Sequence, residues 1–179
     1  MQEKKEEPSE MDAMQALLTR RSVRRFTDQP VSSQDLEGVL RAAMHAPSAN
    51  NQQPWQFVVI DDRQTRGHLV EIHPYAKSLL EAPLGILVCG DLRLQKSEDY
   101  WVQDCAAATQ NLMLAAHALG LGTVWQGVYP RMARVQAIQE LLRMPQEVLP
   151  FALISVGHPV GPPPEVDRFL PERIHSNQW

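Results

Sequence analysis

The sequence predicts one domain that mixes helices with short strands around a common core. Four short apolar runs, at residues 56–60, 84–89, 122–125 and 151–156, have strand length and are bounded by turn-forming residues. Between them, apolar residues recur at helical spacing. One of these helical stretches, residues 101–119, is apolar on nearly every side of its second half, as a helix buried all round would be. In a chain of 179 residues, long enough for a sizeable core, such a helix belongs at the centre of the fold or at a dimer interface.

Residues 1–10 are charged and almost free of apolar side chains, so ordering them would gain little; they read as a flexible lead-in, and residues 11–179 as the domain. Residues 12–19 carry Met14, Leu17 and Leu18 at helical spacing, with Asp12 as N-cap. A second helix spans 31–45, capped by Ser32 or Ser33, with Leu36, Val39, Leu40 and Met44 on one face; Ala46-Pro47 ends it. The strand at 56–60 closes at Asp61-Asp62, and a helix follows to about Ile72, where His73-Pro74-Tyr75 breaks the pattern. The near-continuous apolar run at 84–89 is expected of a strand covered on both faces. The helix at 101–119 ends at Gly120, the strand at 122–125 follows, and a helix at 132–142 stops before Pro145. After the strand at 151–156, residues 157–179 hold five prolines and no periodic pattern. Their Phe169, Leu170, Ile174 and Trp179 need a surface to bury them, so an extended arm over a partner subunit is expected.

Hydrophobic residues make up 44% and charged residues 21%, the balance of a globular protein. A net charge of −4 argues against bulk binding to nucleic acid or an anionic membrane surface. No apolar run is long enough to span a bilayer, and the N-terminus lacks an apolar signal region, so a cytoplasmic location is expected. Cys89 and Cys105 lack metal-type spacing and read as small buried apolar residues.

Three clusters bear on chemistry. In Arg20-Arg21-Ser22-Val23-Arg24-Arg25-Phe26, four arginines within six residues make a strong positive field, and the guanidinium fork matches phosphate oxygens. An extended backbone would aim Arg20, Ser22 and Arg24 one way and Arg21 and Arg25 the other. The same cluster also reads as a solvated basic turn. The second cluster, Ala46-Pro47-Ser48-Ala49-Asn50-Asn51-Gln52-Gln53-Pro54-Trp55, holds four consecutive carboxamides. Carboxamides donate and accept without ionising, which suits a ring edge carrying both N–H and C=O groups; equally, such a turn satisfies its own backbone. In the third, residues 120–127, glycines permit a tight helix-to-strand passage and close approach of backbone to a ligand. The chain lacks G-x-G-x-x-G, a Walker loop, G-x-S-x-G and H-E-x-x-H, and its six histidines show no ligand spacing. Phosphate and amide sites without an evident acid, base or nucleophile fit a cofactor that carries the reaction itself.

Taken in this order and spacing, with Gly157-His158-Pro159 and the late Arg168-Phe169-Leu170-Pro171-Glu172-Arg173-Ile174-His175, these segments resemble the nitroreductase family from about Met14 to the last residue. The resemblance implies an α+β fold of three layers, a central mostly antiparallel sheet flanked by helices, in a homodimer with active sites at the subunit interface. It implies FMN as cofactor and NADH or NADPH as electron donor, with ping-pong transfer to a small acceptor of nitroaromatic or quinone type. Arg20, Ser22 and Arg24 would contact the FMN phosphate or ribityl chain, with Arg21 in the same cluster and Arg168 returning to the phosphate. Asn51 would hydrogen-bond the flavin ring with Gln53 nearby, Pro47 and Ser48 would approach from the other subunit, and the backbone of Gln126 and Gly127 would face the flavin N5 and O4. The chain departs from the pattern at Val166, where many relatives have lysine, at Gln126, where some have a glutamate near N5, and in a short 91–100 segment, where some carry a substrate-covering insertion. Other natural reactions of such a fold are reductive dehalogenation and flavin fragmentation, and a non-enzymatic flavin-binding module is a further reading.

Overall fold

A computed structural model describes residues 11–162 and 164–179; the lead-in expected at 1–10 lies outside the described residues. Helix α1 (Ala13–Thr19) starts where Asp12 accepts from the Gln15 N–H at 2.9 Å. Helix α2 (Ser33–Met44) is capped by Ser32, which accepts from the Asp35 N–H at 3.0 Å. Strand β1 (Trp55–Ile60) leads into α3 (Arg63–Ile72), capped by Asp62. A four-residue helix α4 (Ser78–Glu81), for which the sequence holds no periodic signal, precedes β2 (Leu84–Asp91). Then come α5 (Trp101–Ala118), β3 (Gly122–Gly127), α6 (Met132–Leu142) and β4 (Val148–Gly157).

The four strands form one antiparallel sheet in the order β1-β2-β4-β3. Strand β2 is buried along its whole length, as its unbroken apolar run requires. Its alternation feeds two cores. Ile86 and Val88 join Val39 and Ala43 of α2, and Cys105 and Leu112 of α5, on one face. Leu87 and Cys89 join Leu69 of α3, Leu79 of α4, and Val135 and Ile138 of α6 on the other. The result is the three-layer α+β arrangement, helices on both sides of a sheet. Helix α5 packs on α2 and on all four strands, and so occupies the central place its composition indicated.

Strand β4 starts three residues earlier than its apolar run suggests. Pro150 sits where the β2–β4 register shifts, between Val88 and Cys89, a position that does not need its missing N–H. Beyond β3, the chain that leaves α1 runs along the sheet's edge: Val23 N–H donates to the Thr123 carbonyl at 2.9 Å, and Phe26 bridges to Pro159. No helix among the described residues is long and apolar enough to cross a membrane.

Candidate functional site

A cavity of about 810 Å³ opens where the end of α1, the last turn of α5 and the C-terminal segment meet; Arg20, Arg21, His117 and Arg168 line it. The sequence brings them there by three routes. Helix α1 ends at Thr19 with Arg20 as its C-cap, where the non-helical backbone places Arg20 and Arg21 in the lining. His117 lies in the last turn of α5, and the aperiodic tail returns Arg168 across the mouth.

Three arginines, with Glu165 and Asp167, give the cavity its charge. One terminal nitrogen of Arg20 and Nε of Arg21 are buried without a hydrogen-bond partner among the described residues. Burial, and then the charges of Arg168 and Arg21, push the Arg20 guanidinium below its ordinary value. Glu165 and Asp167 also line the cavity, yet among the described residues neither forms a salt bridge to these arginines. Arg21 directs its terminal nitrogens to carbonyls, those of Leu18, Arg20 and Val166, each at 2.8 Å. The bond to Val166 ties the tail to α1. Thus Val166 contributes a main-chain anchor, and Arg21 joins Arg20 and Arg168 in the lining.

His117 belongs to this cavity, and sequence reading missed it because nothing local marks a histidine whose partners lie about a hundred residues earlier. Thr19 Oγ1 donates to the Gln15 carbonyl at 2.6 Å, so His117 Nε2, 2.8 Å from that oxygen, is the donor between them. Burial, then Arg20 and Arg21, lower the His117 pKa.

Ser22 and Arg24 are exposed and are not among the residues lining the cavity, which gathers Arg20, Arg21 and Arg168. The bridge of Ser22 to Thr123 fixes the chain against β3 immediately after Arg21.

The carboxamide turn sits elsewhere. Asn51 and Gln53 are exposed and joined by a 3.1 Å bond from Gln53 Nε2 to Asn51 Oδ1, while Ser48 Oγ accepts from the Gln53 N–H and Pro47 is exposed. The turn is fastened to Asp104 in the first turn of α5, whereas the arginine cavity borders His117 in the last. His117 follows Asp104 by thirteen positions along the helix, roughly 20 Å along the axis. One chain therefore holds the two clusters at opposite ends of α5.

Gln126 is buried, and its Nε2 donates to Ser78 Oγ at 2.7 Å and Ser155 Oγ at 2.9 Å, on the α3–α4–α6 side of the sheet. The alternation of β3 turns this side chain into the core, so at this position the strand offers main chain rather than a side chain to the opposite face. The Gly127 carbonyl accepts from His73 Nε2 at 3.0 Å and Arg134 at 2.8 Å.

Comparison with known proteins agrees with this architecture. Residues 17–84 and 73–158 match the model of the Nitroreductase family. A Methanothermobacter thermautotrophicus protein, provisionally named NADH dehydrogenase/NAD(P)H nitroreductase, is 44% identical over 171 residues, covering 96% of this chain and 90% of its own length. The oxygen-insensitive NADPH nitroreductase of Salmonella typhimurium is 30% identical, covering 93% of this chain and 74% of its own. A provisionally named nitroreductase from Desulfovibrio desulfuricans, solved in complex with FMN, superposes with a TM-score of 0.81 at 35% identity, covering 93% of this chain and 96% of that one. With its three-layer fold and a family match over most of its length, the chain belongs to the nitroreductase family.

Proposed function

We propose that the chain is one subunit of a cytoplasmic, homodimeric FMN-dependent oxidoreductase that takes electrons from NADH or NADPH and passes them to a small acceptor of nitroaromatic or quinone type. Residues 11–179 form its single FMN-binding domain. The observation that carries this reading is Arg20: a buried guanidinium N–H without a partner among the described residues, crowded by Arg21 and Arg168, is a group suited to a bound anion.

The donor set fits the phosphate of FMN. Arg20 and Arg168 hold it, with Arg21 and His117 at the margin. Ser22 and Arg24, just beyond the cavity on the same chain, serve the rest of the cofactor. The carboxamide turn lies at the far end of α5, so Pro47, Ser48, Asn51 and Gln53 reach the ring edge from the partner subunit. The main chain at Gln126 and Gly127 borders the ring, held still by His73 and Arg134. When bound, FMN supplies the hydride acceptor and electron store that no side chain here provides. Donor and acceptor then use one place in turn, which gives ping-pong kinetics.

The purified protein is expected to be yellow, or to take up added FMN, and to oxidise NADH or NADPH only when an acceptor is present, with parallel lines in double-reciprocal plots. A colourless protein that ignores added FMN overturns the reading.

A further inference from the structure

Two buried polar side chains, Gln52 and Asp104, lie far from the arginine cavity and face no ligand directly. They are 5% and 4% exposed. Asp104 makes no salt bridge among the described residues; it is satisfied by N–H donors alone. Its Oδ1 accepts from the Ala49 N–H at 2.9 Å, and its Oδ2 from Gln52 Nε2. Gln52 Oε1 in turn accepts from the N–H groups of Lys96 and Ser97, at 2.8 and 3.0 Å. Both ends of the Gln52 amide are thus spoken for, which fixes its orientation. A third tie, outside the core, runs from Asn50 Nδ2 to Ser97 Oγ at 2.7 Å.

These bonds close on a strained segment. Asn50, Asn51 and Gln53 all have left-handed backbones, with φ of 48°, 50° and 47°. Side chains with a Cβ adopt that region only when their surroundings impose it. Two of the three, Asn51 and Gln53, are the exposed carboxamides assigned to the flavin ring. A buried carboxylate adds nothing to core packing and costs desolvation, so its presence here calls for a positional reason.

We propose that Asp104, Gln52 and Ser97 are positioning residues of the flavin site: they lock the 48–53 turn to the first turn of α5 and to the 95–97 segment, and so hold Asn51 and Gln53 in the one backbone conformation that presents them to the cofactor. This rests on the flavin reading given above. The lock also explains how a short 91–100 segment, without a covering insertion, stays attached to the site.

The test exploits the shape identity of Asp with Asn and of Gln with Glu. Asp104→Asn sets an NH₂ group against the NH₂ of Gln52. It is expected to weaken FMN binding roughly tenfold, the scale of a lost hydrogen bond to a charged group, and to shift the visible flavin band of the bound cofactor. The exchange Gln52→Glu with Asp104→Asn keeps the net charge and every bond, since the amide placed at position 104 then donates to the carboxylate placed at position 52. It is expected to restore affinity to within about threefold of wild type. Titrations are read at a temperature where circular dichroism shows each variant folded. A folded Asp104→Asn protein that binds FMN as the wild type does, or an exchange variant as weak as the single one, overturns the proposal. If Asp104→Asn does not fold, Ser97→Ala cuts only the outer tie: weaker FMN binding supports the proposal and unchanged binding overturns it. Failure of the unaltered protein to take up FMN overturns the flavin reading and this inference with it.

Discussion

Arg20 and His117 set the behaviour of the arginine cavity. Arg20→Ala is expected to weaken FMN binding by roughly 1.5–3 kcal/mol, the usual scale of a charged hydrogen bond, read by fluorescence titration. Unchanged affinity would remove Arg20 from the site. His117 and His73 both have lowered pKa values, each from burial first and then from neighbouring arginines: Arg20 and Arg21 for His117, Arg134 for His73. The unfolded chain therefore binds protons that the fold does not. The stability these neutral histidines confer is present above about pH 6.5 and is lost as pH falls through their folded values. Thermal melts between pH 7 and 5 should show Tm declining, and His73→Gln should flatten the decline; a slope unaltered in that variant would deny His73 the role. At this scale the sequence revealed the arginines, because four cations in six residues need no distant partner to be noticed. It did not reveal His117 or Asp104, whose partners, Thr19 and Gln52, are distant in sequence and near only in the fold.

Elements were legible where period and length agreed. Helices α2 and α5 and strand β2 carry clean patterns, and the caps at Asp12 and Ser32 are of the residue types that signal them. Helix α4 was not legible, since four residues cannot display a period. The start of β4 was obscured by Pro150, which reads as a breaker until the register shift beside it is seen. The sheet meets α5 closely at Gly90, where an added Cβ would stand 2.3 Å from Trp101 Cε3. Trp101 is itself wedged edge-on against Tyr129 and Phe151 and has little room to yield. Gly90→Ala is expected to cost about 1–3 kcal/mol, read as a lower urea midpoint. A midpoint equal to wild type would show that the ring can move.

For the whole molecule, the separation of the two clusters along α5 makes a prediction that only a shared site satisfies. If Arg20 comes from one subunit and Asn51 from its partner, Arg20→Ala and Asn51→Ala homodimers are each impaired at both sites. A mixed dimer of the two gathers both lesions into one site and leaves the other intact. Co-refolded mixed dimers should regain up to about half of wild-type NAD(P)H oxidation; no regain would place the site within a single chain. The apolar side chains that a single chain leaves outside, Leu17, Leu18, Met44, Phe169, Ile174 and Trp179, are what such a partner would cover. The sequence signalled this need for cover through its aperiodic but apolar tail, while the path of the tail followed from no local rule.

The strip of chain between α1 and α2 has one more consequence. By pairing with Thr123 it covers part of the edge of β3, and by pairing with Pro159 the chain just beyond β4, main chain that would otherwise show free donors and acceptors. Trimming the protein to begin after residue 27 would strip that guard as well as the arginines. Such a shortened product should clump through strand-to-strand pairing rather than persist as a quiet, cofactor-free monomer.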